Sequence, residues 1–146
     1  MKAEFANPQS LPLIETRDIQ VHYQIRRGLF SHSTIRAVDG VTIAIQPSET
    51  LAIVGESGSG KTTLGRATLK LQGVTRGEVL FDGLDITHLK ENQLKQFRAS
   101  AQAIFQDPYS SLNPYMTVRQ LVGEPLLIQG ETGKSEREDR VLSMLE

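Results

Sequence analysis

Two stretches near the start of the chain alternate apolar and polar positions. Ile19, Val21, Tyr23 and Ile25 recur at every second residue, and Val41, Ile43 and Ile45 do the same within Ile35 to Ile45. A period of two gathers each set on one face of a strand, so the spacing predicts two half-buried strands. Between them, Arg26-Arg27-Gly28-Leu29-Phe30-Ser31-His32-Ser33 reads as an extended hairpin loop, its basic residues a solvated tip in preference to a nucleic-acid patch. Residues up to Pro12 are polar and proline-containing and read as a loose leader.

The next apolar run, Leu51-Ala52-Ile53-Val54, is continuous, as in a parallel strand buried on both faces. The turn Pro47-Ser48-Glu49 leads into it. Leu64, Ala67 and Leu71 then fall at helical spacing, with Gly73 as a C-terminal stop. Glu78 to Phe81 reads as a strand, Asp82-Gly83 as a turn, and Leu84-Asp85-Ile86 as its return arm. A short helix over Asn92 to Arg98 would bury Leu94 and Phe97, and Ala101 to Phe105 reads as a further strand.

Pro108 pushes Asp107 out of the helical region, so Gln106-Asp107-Pro108 is a turn, and Pro108 to Pro114 is an irregular surface loop. Thr117 and Gln120 have capping-box spacing and start a helix that Pro125 kinks or ends. After a loop from Gly130 to Gly133, Ser135 and Glu138 repeat that spacing, and Val141, Leu142 and Leu145 mark an apolar face. The last helix reaches Glu146 with no stop signal, so the expectation is a fragment of something longer.

Composition narrows the classes. A length of 146 residues suits one domain, and 38% apolar residues with 12 glycines lie in the globular range. A net charge of −1 provides no field for nucleic acid, and the absence of cysteine excludes a disulfide scaffold or a cysteine-built metal site. No apolar stretch has the length of a membrane span, so the chain reads as cytoplasmic, reaching a membrane only through a partner.

Gly55-Glu56-Ser57-Gly58-Ser59-Gly60-Lys61-Thr62 matches the P-loop pattern G-x-x-x-x-G-K-[ST] at every fixed position. A phosphate chain needs a nest of backbone N–H groups with no bulky side chain in the way, which Gly55, Gly58 and Gly60 permit. Lys61 supplies a point charge for the β- and γ-phosphates, the Thr62 hydroxyl can join Mg²⁺, and the following helix points its positive end at the same oxygens. The strand before and the helix after favour this over a bland glycine loop. A Walker B role for Asp82, holding Mg²⁺ through water, competes with the hairpin reading, which the Asp-Gly dipeptide favours.

A second motif separates the P-loop classes. The apolar run ends, 45 positions after Lys61, in Phe105-Gln106-Asp107-Pro108-Tyr109-Ser110-Ser111-Leu112-Asn113-Pro114, which resembles the Q-loop of ABC transporter ATPase subunits. Gly55 to Thr63 (GESGSGKTT), Gly77 to Gly83 (GEVLFDG) and Gly123-Glu124-Pro125-Leu126 extend the resemblance to the ATPase subunits of oligopeptide/dipeptide importers, from Leu13 to Glu146. The implied fold is α/β: a P-loop NTPase (ABC ATPase) core with an N-terminal antiparallel β part over 13–117, and the start of an α-helical subdomain over 118–146, truncated within it.

The resemblance implies a role for each matching position. Tyr23 would stack on adenine, against the plain alternative of a strand tyrosine; Glu56, Ser57, Ser59 and Thr63 would join Gly55, Gly58, Gly60, Lys61 and Thr62 around the phosphates of ATP. Gln106 would touch Mg²⁺ or the attacking water, making Thr62 and Gln106 the metal-side residues. Pro108 to Met116, with Tyr109, Leu112 and Tyr115, would face a membrane permease, although apolar residues in such a loop can also tuck back onto the core. A second ATPase subunit would complete a dimer on the inner face of the membrane.

The chain departs from the family at Ser48, where a glycine is usual, and at Lys90, where a capping serine is common. The signature motif, Walker B aspartate, catalytic glutamate and switch histidine would lie beyond Glu146, so no catalytic residue is assigned and the chain as given is not expected to turn over ATP. The expected function is an ATP-binding subunit of an importer of peptides or similar solutes. The alternatives are a non-catalytic nucleotide-binding remnant and a non-transport ABC ATPase; a GTPase is disfavoured because no Asn-Lys-x-Asp motif occurs.

Overall fold

The structure, a computed structural model, describes residues 11–26, 32–107, 111–130 and 133–146. The leader up to residue 10, the hairpin tip at 27–31, Tyr109, and the loop residues 131 and 132 lie outside the described residues. The chain divides into two compact units, Met1–Leu94 and Lys95–Glu146.

The first unit is built on a four-stranded antiparallel sheet of order β2-β1-β3-β4, where β1 is Ile14–Arg26, β2 His32–Ile45, β3 Arg76–Phe81 and β4 Leu84–Asp85. Thr16, Ile19 and Val21 are the buried residues of β1. Their spacing skips a beat because Arg17 and Asp18 together face Thr42 of β2, a bulge with Asp18 at φ 46°. An extra residue resets the alternation, which is how an even-numbered Thr16 and an odd-numbered Ile19 share one face. Helix α1 (Lys61–Thr68) packs on β1 and β2 through Leu64 and Ala67, on the face of the sheet that buries Ile19, Val21, Val38 and Val79; Leu80, the next residue of β3, is buried on the opposite face. Burial of one such aliphatic side chain stabilises the fold by about 1.5–3 kcal/mol.

Asp82 and Gly83 have φ of 49° and 77°, the two positive values of a type I′ turn, and they join β3 to β4 with Phe81 opposite Leu84. This is the hairpin that the Asp-Gly dipeptide favours, not a Walker B strand. Helix α1 ends at its cap, Leu69, short of Gly73, and Leu71 is exposed. The stop is a Schellman motif: the Leu71 N–H bonds the Arg66 carbonyl at 2.8 Å, and the Lys70 N–H bonds that of Ala67 at 3.0 Å. Lys70, at φ 55°, takes the left-handed position usually given to glycine, and its ammonium bonds the Thr87 carbonyl.

Leu51 to Val54 lies outside the sheet, with Val54 89% exposed. A strand exists only by pairing, and no described residue pairs with this run, so its apolar character alone does not make it one. In place of one short helix, a 3₁₀ turn over Glu91–Gln93 precedes α2 (Lys95–Ser100), and Leu94 and Phe97 are buried as expected. Lys90 has no acceptor to cap that turn; the Gln93 side chain bonds the Lys90 N–H at 3.0 Å, half of a capping box.

In the second unit, 101–105 likewise forms no strand, with Ile104 92% exposed, for the same reason of absent pairing among the described residues. Helix α3 (Val118–Gln129) starts on the full Thr117/Gln120 capping box and continues through Pro125 to the left-handed Gly130. Pro125 removes one helical donor without ending the helix. Helix α4 (Lys134–Leu145) begins at Gly133, whose carbonyl accepts from the Arg137 N–H at 3.0 Å, so Ser135 sits inside the first turn and is not the cap. Val141 is buried against α3, while Leu142 and Leu145 stay exposed.

Candidate functional site

The loop from Gly55 to Gly60 leaves the unpaired apolar run and turns into α1. Its turn is closed by the Ser59 N–H on the Glu56 carbonyl at 3.2 Å. Gly58 and Gly60 have φ of 81° and 93°. At Gly60 the requirement is also steric: a Cβ there would stand 2.1 Å from the Ala37 carbonyl oxygen of β2. Only glycine lets the loop rest directly on the hairpin.

Helix α1 starts at Gly60 with no side-chain cap and no acidic residue in its first turn. Its free N–H groups and positive dipole end are therefore available to an anion, in contrast to α3, whose first turn is closed by Thr117. Lys61 curls back over the loop, with its ammonium donating to the Gly55 and Glu56 carbonyls at 2.8 and 2.6 Å, and 3.4 Å from the Ser59 hydroxyl. Thr62 is exposed on the first turn of α1, followed by the half-exposed Thr63; Glu56, Ser57 and Ser59 are exposed on the loop. A glycine cradle, an uncapped helix start and a point charge folded over the loop fit a polyphosphate.

Tyr23 lies on β1 opposite Ile35, half-exposed, on the same hairpin that supports Gly60. Gln106 is exposed at a bend in the second unit. Leu112 and Tyr115 of the following loop are 51% and 94% exposed, so neither tucks back onto a core among the described residues. No cluster of three or more metal-ligating side chains occurs among the described residues, and no helix there is long and apolar enough to cross a membrane.

No motif of the sequence marks the hairpin's part in the site. In β2, Val38 pairs with Val21 and Arg36 with His22, which leaves Ala37 as a bulge whose carbonyl meets Gly60. The signal is present in the sequence: the apolar positions shift phase from Ile35 to Val38 and again to Val41. Beside the bulge, Asp39 lies 3.2 Å from His22 Nε2 and 3.3 Å from Arg36 Nη1. The hydrogen bond from the His22 ring foremost holds the Asp39 carboxyl below the usual range; desolvation opposes it, and Arg36 adds to the lowering.

An α/β unit with a glycine loop on a helix start, a lysine folded over it and an antiparallel hairpin beneath defines a P-loop nucleotide-binding protein. The chain belongs to the ABC transporter family, whose profile matches residues 38–146. It is 42% identical over 136 residues to the oligopeptide transport ATP-binding protein AppF of Bacillus subtilis, covering 91% of this chain and 41% of that protein. With the dipeptide transport ATP-binding protein DppF of Escherichia coli it shares 39% identity over 135 residues, covering 92% and 40%. The dimeric ATP-binding cassette MJ0796, solved in a post-hydrolysis state bound to ADP and Pi, superimposes with a TM-score of 0.71 at 26% identity, over 89% of this chain and 54% of that one. The chain thus spans about two fifths of the length of the curated relatives it matches.

Proposed function

We propose that the chain supplies the phosphate-binding half of an ATP site in an ABC importer for peptides or similar small solutes. The carrying observation is the Gly60 contact with Ala37, which presents an uncapped helix start and Lys61 to one point. The importer part rests on the identity to AppF and DppF, whose names state oligopeptide and dipeptide transport.

In this reading the loop N–H groups and α1 bind the β-phosphate, and Lys61 swings from the Gly55 and Glu56 carbonyls to the β/γ oxygens. The Thr62 hydroxyl, which has no hydrogen-bond partner among the described residues, would hold Mg²⁺. The metal-side role of Gln106 rests on the Q-loop resemblance alone. Bound Mg²⁺ would neutralise charge on the β and γ oxygens. Tyr23 offers a ring face for adenine. The exposed Leu112 and Tyr115 support a permease contact through Pro108 to Met116 on the inner face of the membrane, and the likeness to a dimeric cassette supports pairing with a second ATPase subunit.

The test is a titration of the protein with ATP and with tripolyphosphate in the presence of Mg²⁺, followed by calorimetry. Saturable binding of both, in mutual competition, is expected; binding of neither overturns the proposal.

A further inference from the structure

A bulged residue is left out of the ladder, so its carbonyl direction must be fixed by something else. At Ala37 that carbonyl matters, because it sets how closely Gly60 can approach; Val38 Cγ2, at 3.7 Å from the same Cβ position, completes the contact. Three side chains hold the bulge, Arg36, Asp39 and His22. Arg36 flanks it on one side and Asp39 closes the other, and one oxygen of the Asp39 carboxylate accepts from Arg36 Nη1. The other oxygen meets Nε2 of His22, the residue paired with Arg36 across the strands. The backbone of His22 is fixed in turn, with its main-chain N–H donating to the Thr75 hydroxyl at 2.9 Å.

One carboxylate therefore ties both shoulders of the bulge to each other and to β1. These groups lie at the surface, where an ion pair adds little to folding stability. Their geometry has a use that their energy does not suggest: any slackening lets the Ala37 carbonyl move against Gly60.

We propose that Asp39 is a positioning residue for phosphate binding, clamping the Ala37 bulge so that Gly60 and the start of α1 are held in their phosphate-accepting arrangement. The inference rests on the nucleotide reading given above. Asp39 touches no phosphate; it acts through Ala37 and Gly60.

The experiment compares ATP, tripolyphosphate and adenosine binding by calorimetry in the wild-type protein and in Asp39→Ala, Asp39→Asn and Arg36→Ala, with thermal midpoints measured in parallel. Asp39→Ala is expected to weaken ATP and tripolyphosphate by the same factor, about fivefold to tenfold, the scale of one lost hydrogen bond. Adenosine binding should not change. Asp39→Asn keeps an acceptor for His22 and should recover part of the loss, and Arg36→Ala should show a smaller loss in the same direction. Equal ATP affinity in folded Asp39→Ala, or an equal loss for adenosine, overturns the inference. If Asp39→Ala does not fold, Arg36→Ala decides by the same criterion. Wild-type protein that binds neither ATP nor tripolyphosphate overturns the nucleotide reading, and this inference with it.

Discussion

The ammonium of Lys61 donates to the Glu56 carbonyl at 2.6 Å, so the lysine is held by the loop it serves. In the proposed ATP site a phosphate would have to take this charge from two backbone carbonyls, an exchange favoured by the stronger charge-assisted bond of an anion. Replacement by alanine removes that bond while leaving the glycine cradle intact. Lys61→Ala is expected to weaken ATP by about 1.5–3 kcal/mol, on the order of 10- to 100-fold. Lys61→Arg should not restore it, since a planar fork cannot bend over the loop as a point charge does. Calorimetric titration of both variants checks this.

Thr87 is 3% exposed and its hydroxyl is fully used. It accepts from the Val79 N–H at 2.7 Å and donates to Asp85 Oδ1 at 2.5 Å. Thr87→Val leaves a buried N–H without its acceptor, so a loss of about 1–3 kcal/mol in urea unfolding is expected. The same hydroxyl, with the Thr87 N–H after it, holds the Asp85 carboxyl below its usual range. A carboxyl lowered by folding adds stability that is complete above its unfolded value, about 3.9, and is lost as the pH falls through the folded one. Wild-type protein should therefore lose stability below that pH, and Thr87→Val should show a shallower acid limb.

Much of the first unit was legible in the chain because its signals are local. Asp82-Gly83 forms the I′ turn that its residue types demand, and the glycine loop runs into a helix as the P-loop pattern requires. The helix ends before Gly73 because Lys70 takes the left-handed position of the Schellman stop, where its ammonium also bonds the Thr87 carbonyl, 17 residues away. Leu51 to Val54 and Ala101 to Phe105 form no ladder for a different reason. An apolar run states that burial is wanted; pairing depends on partners elsewhere, and none is among the described residues. The Ala37 contact needed both facts, a phase shift in β2 and a glycine far along the chain, and no single motif contains them.

Ser48, in the turn before the loop, has φ 63° with an exposed side chain. A Cβ in the left-handed region costs about 1–2 kcal/mol, and glycine gives part of that back as unfolded-state entropy. The turn itself is held by other groups, the Glu49 N–H on the Gln46 carbonyl and the Glu49 carboxylate on the Gln46 N–H. Ser48→Gly is thus expected to stabilise the fold by up to about 1 kcal/mol. Thermal unfolding should show a rise of a few degrees, and a fall would mean that the Ser48 hydroxyl has a role of its own.

Val54 and Ile104 are 89% and 92% exposed, each within an apolar run that is not in a ladder. Such runs combine β-propensity with free backbone groups, which is the composition that self-associates. A lysine at either place adds charge where no packing is lost. Val54→Lys and Ile104→Lys should each raise the soluble yield and lower light scattering, while the unfolding free energy measured in urea changes by no more than about 0.5 kcal/mol, as for other surface changes. If either variant instead loses the 2–5 kcal/mol that core substitutions of this kind cost, on the order of a disrupted core, the side chain is buried in solution and the run is paired after all. The two outcomes separate cleanly, because a charge at a buried strand position cannot leave the unfolding midpoint where it was.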